Sequence, residues 1–276
     1  MLKDGIKIYF DFPDSLEDRI WLSKGTESAK GHYSVAYPYN DLAVMPSKPW
    51  RKPSIEETET LFTKDRPNTD VYSDYVGVTK LPESLIEELQ TLGIEQLQSK
   101  EAVLAYYKTP NYAKSFSLLD RYITSYSAVN QEISYYNYFV DHPNLDVVTI
   151  NYNKERIGLH IDNRDQLSVY DAEKGTNIFL INLSKEDRYF LFVNQSASKI
   201  IDWIEKKNNR KMSQDYTVEY INKDFSDNFP DYSVVKLKIK PFEAYISPAE
   251  NIIHDGSTEG STLPGLKFMA GGYFIL

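Results

Sequence analysis

Beyond about Asp146 the hydrophobic period of the chain changes from that of helices to that of strands, and this change narrows the folds open to it. The segments Val147–Tyr152, Asn177–Leu183, Tyr189–Asn194, Val235–Ile239 and Leu266–Phe274 are rich in β-branched and aromatic residues and predict strands. In Val235-Lys236-Leu237-Lys238-Ile239-Lys240 the alternation is strict, with one apolar and one charged face. A helical pattern at about Ser198–Lys207 and a polar stretch to about Asp231 interrupt the series.

The first half reads differently. Prolines at 13, 38, 46, 49, 53 and 67 break up residues 1 to about 78 and predict short strands, such as Ile6–Phe10, joined by long loops. A helix opens at Pro82-Glu83, carries Leu85, Leu89 and Leu92 on one face and ends at Gly93. A second helix is expected from about Ile94 to Tyr107, stopped before Pro110, and a third carries Phe116, Leu119, Ile123 and Tyr126. With no long linker and no internal repeat, the chain reads as one α+β domain over 1–276. Its expected core is a jelly-roll barrel of residues 145–276, supported from outside by the helices of a mixed N-terminal part, 1–144.

Composition removes several function classes. The 276 residues include no cysteine, so disulfides, thiolate metal sites and cysteine nucleophiles are excluded, and any metal falls to His and carboxylates. A net charge of -9 without a lysine–arginine cluster argues against nucleic acid as a partner. No apolar run is long enough for a membrane helix and Met1-Leu2-Lys3-Asp4-Gly5 does not read as a signal peptide, so the cytoplasm is the expected location. The 22 tyrosines read as half-buried packing residues, because a base-stacking surface would need basic residues between them. Oligomeric state is not legible.

The chemistry is carried by Gly158-Leu159-His160-Ile161-Asp162-Asn163 and by a distant His254. Two imidazoles and one carboxylate can hold Fe(II) on one face and leave the opposite positions open. If the segment is extended, His160 and Asp162 point to the same side and grip one ion. The zinc-protease pattern His-Glu-x-x-His is absent, as are Gly-x-Ser-x-Gly, the Walker loop and Gly-x-Gly-x-x-Gly.

A His160-x-Asp162 pair at the end of an early strand, a late His254 and one more strand near the C-terminus resemble the Fe(II)- and 2-oxoglutarate-dependent oxygenases. The likeness covers about residues 145–276. It implies a double-stranded β-helix, cupin-like core in which His160, Asp162 and His254 bind iron. It also implies oxidative decarboxylation of 2-oxoglutarate with O2 to succinate and CO2, coupled to C–H hydroxylation, desaturation or ring closure of a small molecule such as an amino acid. Members of this family that halogenate have a small residue at the carboxylate position, so Asp162 points away from that outcome.

The resemblance also implies a cation for the far carboxylate of 2-oxoglutarate. The family's commoner Arg-x-Ser pattern is missing, since the corresponding window reads Lys267-Phe268-Met269. Lys267 is therefore favoured over Arg188, which heads the Tyr189–Val193 strand, although arginine is the better carboxylate clamp. Arg164 and Arg156, flanking the pair, could serve the co-substrate or an anionic substrate, or else lie at the surface as solvated charges. Two other readings stay open: a cupin-like metalloenzyme or oxygenase that does not use 2-oxoglutarate, and a non-catalytic jelly-roll binding protein.

Overall fold

A computed structural model describes residues 2–14, 16, 18–67, 73–128, 131–213, 216 and 218–276. Four strands come first: β1 (Lys7–Phe10), β2 (Ile20–Leu22), β3 (Gly25–Ser28) and β4 (Tyr39–Ser47). Ser54 then starts a helix that the sequence reading missed, α1 (Ile55–Leu61). The Ser54 hydroxyl accepts the Glu57 amide and the Glu57 carboxylate accepts the Ser54 amide, which satisfies two donors that a helix start leaves open. After β5 (Tyr75–Lys80), α2 (Glu83–Thr91) follows Pro82 and gives way at Gly93, whose φ of 80° turns the chain out of the helix.

The helix expected over 94–107 is broken. Ile94–Gln96 is a single 3-10 turn, and α3 spans Lys100–Tyr106 because an extended Ser99 caps a new start by accepting the Ala102 amide. Pro110 opens α4 (Pro110–Thr124), so Tyr126 lies beyond its end. The remaining elements are β6 (Ser134–Asp141), β7 (Arg156–Gly158), β8 (Asn177–Asn182), β9 (Arg188–Ser196), α5 (Ala197–Asn208), α6 (Val218–Asn228), β10 (Val235–Ile239), β11 (Glu243–Ser247), β12 (Ile252–Ser257) and β13 (Gly265–Gly272).

Two expectations for this half fail. Val147–Tyr152 forms no strand; its only ladder contact is a bridge from Ile150 to Arg156, while the Val148 amide donates to Gly256 and Thr149 to the Asp255 carboxylate. The polar stretch before Asp231 holds α6, which buries Val218, Ile221 and Phe225 on one side at helical spacing.

The strands form three sheets in the orders β1-β5-β11-β8-β13-β6, β12-β9-β10-β2 and β3-β4-β7. Among the described residues, thirteen strands and six helices make a mixed α/β architecture with no closed barrel. The sheets are also not confined to residues 145–276: β1, β5 and β6 lie in the same sheet as β8, β11 and β13. Strand pairing is non-local, so a change of sequence period does not mark the edge of a sheet.

An apolar layer joins the two larger sheets, with Ile178, Leu180 and Tyr245 from the first and Phe190, Phe192, Val235 and Leu237 from the second. The intervening residues face outward. Phe179, Ile181, Phe268 and Ala270 pack on α2 and α4 through Leu85, Leu89, Leu119 and Ile123, and Leu191, Val193 and Ile253 pack on α5 and α6 through Ile200, Ile204, Ile221 and Phe225. Because β8 is buried on both faces, Asn177–Asn182 reads as a near-continuous apolar run rather than an alternation. No helix among the described residues is long and apolar enough to cross a membrane.

Candidate metal centre

β7 ends at Gly158, so His160 and Asp162 do not lie on a regular strand, against the expectation of an extended segment. What aligns them is tertiary. The His160 amide donates to the His254 carbonyl at 2.9 Å and the His254 amide donates back to His160 at 2.7 Å. This mutual exchange is that of a hydrogen-bonded antiparallel pair, which sets the two side chains on the same face. Their ring centroids are 4.7 Å apart. The Asp162 amide then bonds to the Ala249 carbonyl at 3.0 Å, which draws the carboxylate in beside the rings.

Gly158 makes this approach possible. Its φ is +67°, and a Cβ there would lie 2.2 Å from the Val44 carbonyl oxygen of β4. The Leu159 amide bonds to that same carbonyl at 2.8 Å, so β4 grips the chain one residue before the first histidine.

Both imidazoles are oriented by the backbone. His160 Nδ1 donates to the Gly158 carbonyl at 2.7 Å and His254 Nδ1 to the Ile252 carbonyl at 3.1 Å. Each ring, when neutral, therefore keeps its Nε2 lone pair for another partner, as metal-ligating histidines do. One ligand atom from each of His160, Asp162 and His254 lies within 4.8 Å of the others. Two imidazole nitrogens and a carboxylate at this separation fit a divalent transition metal.

The electrostatics agree with a cation site. Burial opposes charge on His160, but the hydrogen bond to Asp162, whose Oδ1 lies 3.4 Å from Nε2, together with the charges of Asp255 and Asp162 outweighs it and raises the imidazole pKa to about 9. His254 moves the other way, to about 4, through burial and then the neighbouring His160 charge. The Asp162 carboxyl is held well below its ordinary range: burial works against this, and the two histidines with Arg164 overcome it.

Along β12, Gly256 follows His254 by two residues and shares its face, about 6.6 Å further on. A Cβ at Gly256 would lie 3.0 Å from Arg188 Nη2 and 2.9 Å from Val148 Cγ2. Arg188 opens β9, and its side chain is 2% exposed. Its Nη2 donates to Asp141 at 3.3 Å, while Nε and Nη1 have no protein acceptor among the described residues. Lys267 reaches the same carboxylate, with Nζ at 2.9 Å and 2.8 Å from the two oxygens. Burial acts against charge on both Lys267 and Asp141; it lowers the lysine pKa, whereas the two cations still hold the Asp141 carboxyl below its usual value. The group thus has two cations and one carboxylate. Nearby, burial raises the Asp255 carboxyl pKa, and its Oδ1 is taken by Thr149.

The other two arginines are fully engaged. Arg156 is buried, with Nε on Ser34, Nη1 on the Val147 and Val148 carbonyls and Nη2 on the Val35 carbonyl. It staples loops together, so it is neither a solvated surface charge nor available to an anion. Arg164 has an acceptor on each nitrogen: Glu250 on Nε, Tyr136 on Nη1 and the Thr176 carbonyl on Nη2.

The sequence reading missed Asp141, Gly158, Glu250 and Gly256. A signal existed for one of them: Asp141 closes the apolar Tyr138-Phe139-Val140 run, where an acid needs a buried partner. No protein-family model matches this chain, and no curated protein matches it in sequence.

Proposed function

We propose that the protein is a non-heme Fe(II) oxygenase that consumes 2-oxoglutarate and O2 to hydroxylate, desaturate or cyclise a small molecule. The observation that carries this reading is the pairing of the His160–Asp162–His254 donor set with Arg188. That buried arginine presents two donor nitrogens, Nε and Nη1, without a protein acceptor among the described residues, on the same side of β12 and about two residues beyond His254. An α-keto dicarboxylate chelates a metal at one end and needs a cation at the other, and these two groups offer both anchors.

The winding of the chain supports a jelly-roll core. β8 lies in the six-stranded sheet, β9 and β10 in the four-stranded one, and β11, β12 and β13 alternate between the two, all pairing antiparallel. His160 adds to the edge of β12 through its bridge to His254.

When bound, the iron would supply O2 activation and one-electron oxidation of a C–H bond; the protein supplies placement. His160 and His254 would offer Nε2, each ring fixed by its Nδ1–H bond to a carbonyl. Arg188 would pair with the distal carboxylate, which in a desolvated setting needs a fixed cation. Lys267 stays with Asp141 and cancels its charge, which is why we assign the co-substrate to Arg188 rather than to Lys267. Gly256, by lacking a side chain, leaves the guanidinium its place. Phe190, whose ring lies 5.7 Å from that of His254, and Tyr245, 4.5 Å from Phe190, line the same layer and exclude water.

The test is calorimetric titration of 2-oxoglutarate into anaerobic Fe(II)-loaded protein, followed by succinate measurement on admitting O2. Metal-dependent binding with succinate formation supports the reading. Stoichiometric metal without 2-oxoglutarate binding would move the protein to a metalloenzyme that dispenses with this co-substrate, and no metal binding would leave a non-catalytic jelly roll.

A further inference from the structure

Arg164 stands next to the triad, and a cation beside a metal ligand weakens metal binding by charge alone. Its presence there calls for another reason. The arginine is built in from several elements. Its backbone amide and its Nε both donate to Glu250 Oε1, at 2.9 Å and 3.0 Å, and Glu250 is buried in the turn that leads into β12. Its Nη1 donates to the Tyr136 hydroxyl at 2.9 Å, and Nη2 to the Thr176 carbonyl ahead of β8 at 3.4 Å.

Tyr136 is available because the ladder between β6 and β13 shifts register there: Met269 pairs with Asn137 but Ala270 pairs with Tyr135, and Asn137 takes a φ of 76°. The extra residue in β6 turns the Tyr136 ring toward the layer between the sheets. Opposite it, Gly271 of β13 leaves room for both groups, since a Cβ there would lie 2.7 Å from Arg164 Nη1 and 2.7 Å from the Tyr136 hydroxyl. A strand bulge, a glycine and a buried glutamate thus converge on one guanidinium, whose Nε lies 3.4 Å from Asp162 Oδ2. The other oxygen, Oδ1, is the one 3.4 Å from His160 Nε2.

We propose that Arg164 is the positioning residue for Asp162: it holds Oδ2 on the side away from the histidines, so that Oδ1 alone turns toward the metal. This rests on the reading of His160, Asp162 and His254 as a metal site. A carboxylate held by one oxygen leaves a coordination position that a two-oxygen carboxylate would fill, and a metal that must also take a chelating co-substrate needs that position. Glu250 offsets the charge that Arg164 brings, and the structure assigns Arg164 no free donor nitrogen with which to clamp a substrate anion.

The experiment uses Co(II) as probe metal in the full-length protein, measuring its dissociation constant and its visible ligand-field absorption. Gly271→Ala is the informative variant, because it displaces Arg164 without removing charge, and the three nearest atoms that its Cβ would meet all belong to the side chains of Arg164 and Tyr136. Arg164→Lys keeps the charge and loses the fork that reaches Tyr136 and Thr176. Both are expected to weaken Co(II) binding about tenfold, the lower end for groups that orient metal ligands, and to alter the absorption spectrum as Asp162 changes its mode of binding. Parent-like affinity and spectrum in both variants would overturn the proposal, as would a lower melting temperature with an unchanged spectrum, which is the mark of a purely structural contact. If the parent protein itself takes up no Co(II), the metal site fails and this inference falls with it; a metal-binding parent with unresponsive variants removes the inference alone.

Discussion

His160 and His254 exchange both of their backbone hydrogen bonds, at 2.9 Å and 2.7 Å, so the two imidazoles are presented by one antiparallel pair rather than by two independent loops. Each ring is then fixed by its own Nδ1–H bond to the carbonyl two residues earlier, Gly158 for one and Ile252 for the other. The symmetry has a consequence: loss of either histidine removes a ligand but leaves the ladder, since the bonds that join the strands are main-chain.

His254→Ala should therefore fold and yet lose the metal. We expect a fall in divalent-metal affinity beyond the roughly 10–100-fold that removing an orienting group costs, with the far-ultraviolet circular dichroism of the parent. Calorimetric titration with Co(II) or Fe(II) checks it; parent-like affinity would remove His254 from the site.

Metal binding should release one proton across a wide pH window. In the metal-free protein His160, with its pKa raised to about 9, carries a proton at neutral pH, whereas His254, lowered to about 4, does not. A metal needs both rings neutral, so affinity should rise about tenfold per pH unit up to about 9 and level off above it. Below about 4 the slope should steepen, as His254 also takes a proton. Titrations in buffers of different ionisation enthalpy count the protons directly, and a flat profile between pH 5 and 8 contradicts the pairing of His160 with Asp162.

The two buried cations should respond differently to substitution. Arg188→Met removes the group with unpartnered donors and should raise the apparent 2-oxoglutarate KM by about 10–100-fold, the loss of a charge-assisted hydrogen bond or two. Lys267→Met should change that KM less and lower the melting temperature more, because Asp141 loses the ammonium bonded to both of its oxygens. The reverse ranking would return the co-substrate to Lys267.

Gly158→Ala should damage both fold and site. An L residue at φ +67° costs about 1–2 kcal/mol, and its Cβ would sit 2.2 Å from the Val44 carbonyl, so β4 and the His160 segment must separate. A lower melting temperature together with weaker metal binding is the expected pair of results. Retention of parent-like metal affinity in a destabilised protein would show that β4 does not help to align His160.

Much of the second half was legible because the relevant physics is local. Strict alternation in Val235–Ile239 gives a strand with the same bounds, and the Ser198–Lys207 pattern lies inside α5. The His-x-Asp pair and the late histidine identified a donor set by residue type alone. What failed was also local in origin. Ser-Tyr-Tyr-Asn-Tyr-Phe-Val-Asp gives no clean period two, because the shift in register that turns Tyr136 inward also breaks the alternation of β6. The charged sequence around α6 hid its apolar face of Val218, Ile221 and Phe225.

The sequence by itself determined which groups could bind a metal and where strands begin to dominate, since donor chemistry and hydrophobic period belong to residues and their neighbours. Only the tertiary structure decided how those groups meet. His160 faces His254 through a bridge that no spacing rule contains, and a side chain at Gly158 would meet a carbonyl on β4. The choice between Lys267 and Arg188 turned on Asp141, a residue 126 positions from the lysine. A buried charge is defined by what neutralises it, and in a sheet protein that partner lies across strands from distant parts of the chain.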